Sequence, residues 1–91
     1  MNTFKIKIQN IEGLHARPAS RLVSLCHRFD SNITLIFADT KVNCKNITEV
    51  LALGAEKGDE LIIKTIGKDE SEAKKALKKL FRANAPGTEK I

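Results

Sequence analysis

From Thr3 to Gln9 apolar and polar residues alternate, with Phe4, Ile6 and Ile8 set against Lys5 and Lys7, the period-two pattern of a strand with one face buried. Asn10 to Leu14 breaks that alternation with polar residues and Gly13, and Ala19, Leu22, Val23, Cys26 and Phe29 then recur at helical spacing. A loop therefore feeds an amphipathic helix. Ile33, Leu35 and Phe37 alternate again, Ala38 to Thr40 suits a turn, and Lys41 to Cys44 is short and extended, so this stretch predicts a hairpin. Asn46 stands three residues before Glu49, the spacing of a capping box, and Ile47, Val50 and Leu51 form a short apolar face that Gly54 ends. Glu60 to Ile66, rich in Ile and Leu between Gly58 and Gly67, predicts a further strand with Leu61 and Ile63 facing the core. Asp69 and Glu72 repeat the capping-box spacing ahead of Ala73, Ala76, Leu77, Leu80 and Phe81, which lie opposite Lys74, Lys75, Lys78 and Lys79. That is an amphipathic last helix.

Strand, helix, strand, strand, helix, strand, helix is the order of a split βαβ unit. The expected fold is α+β, an open-faced β-sandwich in which a four-stranded antiparallel sheet is covered on one face by three helices. Residues 1–91 read as one domain, with 84–91, which contain Pro86 and Gly87, expected to fray. At 91 residues there is room for one modest core but not for a second domain enclosing a deep substrate cleft. No run approaches the roughly 20 apolar residues of a membrane span, and the N-terminus lacks a signal-peptide block, so a cytoplasmic location is expected without membrane insertion.

Cys26 and Cys44 each sit within an apolar pattern and read as core residues, and two cysteines are too few for the disulfide framework of a secreted mini-protein. The sequons at Asn32 and Asn46 read as chance in a chain with no other secretory feature. A formal net charge of +5 favours acidic partners, which could be nucleic acid, an anionic membrane surface or another protein. All four aromatics, Phe4, Phe29, Phe37 and Phe81, fall in core-like patterns and leave no platform for stacking bases, which argues against nucleic acid.

Candidate chemistry is concentrated in Gly13-Leu14-His15-Ala16-Arg17-Pro18-Ala19, which puts a histidine where the first helix begins. The leading N–H groups of a helix lack internal partners, and the dipole adds about half a positive charge there, so an anion is favoured at Ala16, Arg17 and Pro18. Pro18 falls in the first turn, where its missing N–H costs little, and the Arg17 guanidinium can hold phosphate oxygens. The same positive charge disfavours imidazolium and leaves a nucleophilic neutral ring. On spacing alone, His15 as a plain helix-entry residue and Arg17 as a solvated charge remain open.

That segment resembles the phosphorylation signature of HPr, the histidine-containing phosphocarrier of the bacterial sugar phosphotransferase system, and the likeness continues through Lys45-Asn46, Leu53-Gly54, Gly58, Gly67 and the last helix. The resemblance implies that His15 receives phosphate on Nδ1 from phosphorylated enzyme I and passes it to a IIA domain, with Arg17 assisting. It implies partner docking through the first two helices, which maps to Ala16, Ser20, Arg21, Ser24, His27, Ile47, Thr48 and Leu51, with Arg21, Arg28 and Lys45 as a basic rim. Ser24, His27 and Glu49 stand where family members often carry lysine. Asn46 occupies a position where many members carry a serine phosphorylated by a dedicated kinase, and an asparagine cannot accept that phosphate. Either a sugar-uptake or a regulatory branch is compatible with these residues. The expectation is a monomeric, stoichiometric carrier with no cofactor; His27 reads as an exposed mid-helix residue and no metal site is expected.

Overall fold

The computed structural model describes residues 1–83, so the 84–91 segment expected to fray lies outside the described residues. Its elements are β1 (Asn2–Lys7), α1 (Ala16–Cys26), β2 (Asn32–Phe37), β3 (Thr40–Asn43), α2 (Ile47–Ala52), β4 (Glu60–Ile66) and α3 (Glu70–Ala83). The strands form one sheet in the order β1-β4-β2-β3, antiparallel throughout. β4 thus separates the parallel pair β1 and β2, which α1 connects; this is the split βαβ arrangement.

Register explains which side is covered. Phe4 pairs with Ile63, Ile6 with Leu61 and Leu35 with both Ile63 and Val42, which puts one apolar set on the helix-bearing face. Ala19, Leu22, Val23 and Cys26 of α1, Val50 of α2, and Ala73, Leu77 and Phe81 of α3 bury against it. The alternate residues form the open face, where Lys5, Ile62, Ile36 and Lys41 make one rung across all four strands. An antiparallel sheet tolerates such a wet face because each strand alternates.

Three local expectations shift. The hairpin closes on a two-residue turn, Ala38-Asp39, so β3 starts at Thr40 and ends at Asn43, one residue early at each end. Asn46 does cap α2, its Oδ1 accepting from the Glu49 N–H at 3.1 Å, but the Glu49 carboxylate accepts from the Asn43 N–H at 2.9 Å instead of reaching back to Asn46. At α3 the carboxylate of Asp69 reaches across to the entrance of β2, accepting from the N–H of Asp30 at 2.9 Å, the N–H of Ser31 at 3.0 Å and the Ser31 hydroxyl. These bonds, the Ser31 hydroxyl first, hold the Asp69 carboxyl below its ordinary range. Tertiary donors outcompete the local box because they lie in a turn whose N–H groups need acceptors.

Cys26 and Cys44 are both fully buried, as the pattern indicated, and the fold makes them neighbours, which the pattern did not show. The hydrogen bond to Cys26, then burial, pushes the Cys44 thiol far above its ordinary range. Both side chains are core groups with no access to solvent.

Candidate functional site at the start of the first helix

His15 stands on a loop anchored at both flanks. Ile8 is tied to the turn at Gly58-Asp59, the Gly58 N–H donating to the Ile8 carbonyl at 2.8 Å and the Ile8 N–H to the Asp59 carbonyl at 2.9 Å. Beyond them, Asn10 Nδ2 donates to the Gly13 carbonyl at 2.9 Å and the Leu14 N–H to the Ala55 carbonyl at 3.0 Å. Gly13 has φ +65°, and a Cβ there would sit 2.8 Å from both the Ala55 carbonyl oxygen and the Glu56 Cα, so only glycine allows the two loops to touch. Leu14 is buried directly ahead of the histidine.

His15 is the N-cap of α1, in extended conformation at φ −88° and ψ −167°, and its carbonyl accepts from the Ala19 N–H at 2.8 Å. Its side chain makes no capping bond and is exposed. A Ser or Asp at an N-cap would turn its oxygen onto the first amides. Here the imidazole leaves them open. Pro18 has no N–H to donate, so Ala16 and Arg17 supply the outward-pointing amides, and the first turn holds no acidic residue. The exposed Arg17 side chain has no hydrogen-bond or ion-pair partner among the described residues. One exposed ring, two amides, a helix dipole and an idle guanidinium can together bind an oxyanion held on the ring.

The structure places Ala16, Ser20, Arg21, Ser24 and His27 exposed along α1, and Thr48 exposed on α2 beside Ile47, 38% exposed, and Leu51, 42% exposed. Two large aliphatic side chains so open to water form the apolar part of this surface, and α1 packs alongside α2. The basic rim differs from expectation. Lys45 is half-buried, and its Nζ donates to the Phe29 carbonyl at 2.7 Å just past the end of α1. His27 lies at the C-cap instead of mid-helix, and its Nε2 donates to the Lys45 carbonyl at 2.9 Å. Lys45 is thus a clasp between the two helices. No spacing signal could have revealed these contacts, since they join residues 16 and 18 positions apart.

The family model for the PTS HPr component phosphorylation site matches residues 2–83. The chain belongs to the HPr phosphocarrier family. It is similar to the phosphocarrier protein HPr of Treponema pallidum, with 40% identity over 77 residues, 85% of this chain and 88% of that protein. It is also similar to HPr-C-His of Thermoanaerobacter tengcongensis, with a TM-score of 0.91 and 35% identity across 100% of this chain and 99% of that one. An HPr dimer from the same organism superposes with a TM-score of 0.73 at 38% identity, covering 91% and 95% of the two chains. The four-stranded antiparallel sheet under three helices is the HPr architecture. Among the described residues, no helix is long and apolar enough to cross a membrane.

Proposed function

We propose that this HPr-family chain carries a phosphoryl group on His15, taking it from phosphorylated enzyme I and giving it to IIA domains. The observation that supports this most is the N-cap histidine whose ring makes no cap, exposed at the head of a helix with no acid in its first turn. In the accepting step a lone pair of the ring, on Nδ1 by family likeness, attacks phosphorus in line. The donor's bond to phosphorus breaks and its electron pair returns to the donor. Charge spread over the three phosphoryl oxygens meets the Ala16 and Arg17 amides and the Arg17 guanidinium. The donating step is the reverse with a different partner. No carboxylate lies in that first turn to activate water, which suits storage over hydrolysis. Chemistry of this kind makes the chain a stoichiometric carrier.

Docking through Ala16, Ser20, Arg21, Ser24, His27, Ile47, Thr48 and Leu51 is supported by their common exposure on α1 and α2, which pack against each other. A base-stacking role loses support, because Phe4 and Phe81 are buried and Phe29 and Phe37 are half-buried against the core. Asn46 is engaged as the cap of α2 and has no hydroxyl to phosphorylate, so control by a serine kinase at that position is not part of this reading. The carrier acts as a monomer in this reading, which light scattering checks against the mass of 10.1 kDa. The deciding experiment incubates the chain with enzyme I and phosphoenolpyruvate and weighs it. One acid-labile phosphate on wild type and none on His15→Ala is the expected result; no phosphate on wild type would refute the carrier reading.

A further inference from the structure

β1 is an edge strand, because the sheet order β1-β4-β2-β3 leaves its outer side without a neighbour. α3 packs along β1 and β4 whereas α2 packs on β3, so this edge lies on the flank of the molecule away from α2. Cations collect there. Lys5 and Lys7 stand on β1, Lys57 in the turn that holds Ile8, and Lys78 on α3, and all four are exposed. Lys5, Lys7 and Lys57 have no hydrogen-bond or ion-pair partner among the described residues. Lys78 is placed by a ring. Its Nζ lies 5.8 Å from the centre of Phe4, and the Nζ of Lys74, one turn earlier, lies 5.7 Å from the same centre, so two ammonium groups are held beside the strand.

The surface between these cations is concave. A groove of about 260 Å³ separates β1 from α3, with Lys5, Lys7, Lys78 and Arg82 around Ile6 and Phe81. A second groove of about 440 Å³ adjoins it, sharing Lys7 and Gln9 and reaching Lys57 and Gly58. No acidic side chain lines either one. The two make a continuous cationic trough whose long axis follows the edge strand. Arginine forks match carboxylates in paired geometry, whereas lysine ammonium groups act as point charges that suit closely spaced phosphates. The sole ring in the lining, Phe81, is only 5% exposed, so a nucleic-acid base has nothing to stack on. We propose that the trough between β1 and α3 binds inorganic polyphosphate, a linear chain of phosphates, with Lys5 and Lys78 at one end, Lys7 at the centre and Lys57 at the other end. The contact is ionic and reversible, and it does not depend on the carrier chemistry of His15.

The test titrates the full chain with a short inorganic polyphosphate at near-physiological ionic strength, by calorimetry and by amide NMR, and repeats the titration over a salt series. The amides of Lys5, Lys7, Gln9, Lys57 and Lys78 are expected to shift. Lys5→Gln/Lys7→Gln should weaken binding about tenfold and lower the slope of log affinity against log salt by about 1.4, at about 0.7 for each lost phosphate contact. Lys41→Gln/Lys68→Gln removes the same charge outside the trough and should stay within about threefold of wild type, because distant exposed charges are screened. Equal losses in the two double variants would overturn the proposal in favour of diffuse attraction to net charge. Tighter binding of an oligothymidylate of matched charge would overturn it in favour of nucleic acid. Absence of any polyphosphate binding would overturn it as well, leaving the lysines as guards that keep the edge of β1 from pairing with another chain. None of these results bears on whether His15 takes phosphate from enzyme I, so the two readings fail separately.

Discussion

Replacing Gly13 by alanine tests whether the loop under His15 is held by close backbone approach. At φ +65° an L-residue carries a penalty of about 1 kcal/mol in the left-handed region, partly offset by the smaller entropy loss of alanine on folding. The new Cβ would also sit 2.8 Å from two backbone atoms, the Ala55 oxygen and the Glu56 Cα, and neither can rotate away. Separating the loops stretches the Leu14 N–H to Ala55 carbonyl bond, worth about 1 kcal/mol. The sum is a destabilisation of about 2–3 kcal/mol, which for a domain of this size lowers Tm by roughly 10–20 °C. Gly54 is the internal control, because at φ +66° it has the same backbone demand but nothing within 4 Å of its would-be Cβ. Gly54→Ala should therefore lose only the conformational part, about 1 kcal/mol or less. Thermal melts followed by circular dichroism measure both. If Gly13→Ala melts within about 2 °C of Gly54→Ala, the contact between the loops contributes nothing and the argument for a rigid base beneath His15 fails.

Three further outcomes follow from side chains that link elements. Asp69 has its folded-state pKa lowered, so its contribution is complete above the unfolded value of about 3.9 and disappears as pH falls through the folded value; denaturant melts should show stability dropping below about pH 4, and Asp69→Asn should flatten that drop. Asn46→Ala should cost about 1 kcal/mol through loss of the α2 cap while Asn46→Ser stays within about 0.5 kcal/mol, as chemical denaturation will show. Lys45→Met strips the Phe29 carbonyl of its donor and should lower stability by about 1–2 kcal/mol, and an unchanged melt would show that water replaces the ammonium at no cost.

Much of this protein is set by local order in the chain. Period-two alternation marks β1, β2 and β4, helical spacing marks α1 and α3, and Asn46 announces the start of α2, because a side chain's face follows directly from its place in a regular backbone. The position of His15 at a helix start is legible for the same reason: Pro18 and the apolar spacing of α1 fix where that helix begins. Contacts between elements are another matter. Nothing in the spacing shows Asp69 leaving its own helix for Ser31, Lys45 held by Phe29 instead of facing a partner, or Cys26 beside Cys44. Each depends on which distant groups the packed core brings within hydrogen-bonding distance, and a donor or acceptor takes the partner that packing supplies even where a local motif offers another. So the sequence by itself determined the elements, their buried faces and the histidine's place at a helix start. Tertiary structure alone decided that Lys45 is engaged while Arg17, among the described residues, is not, because only packing shows which cations the distant carbonyls have claimed.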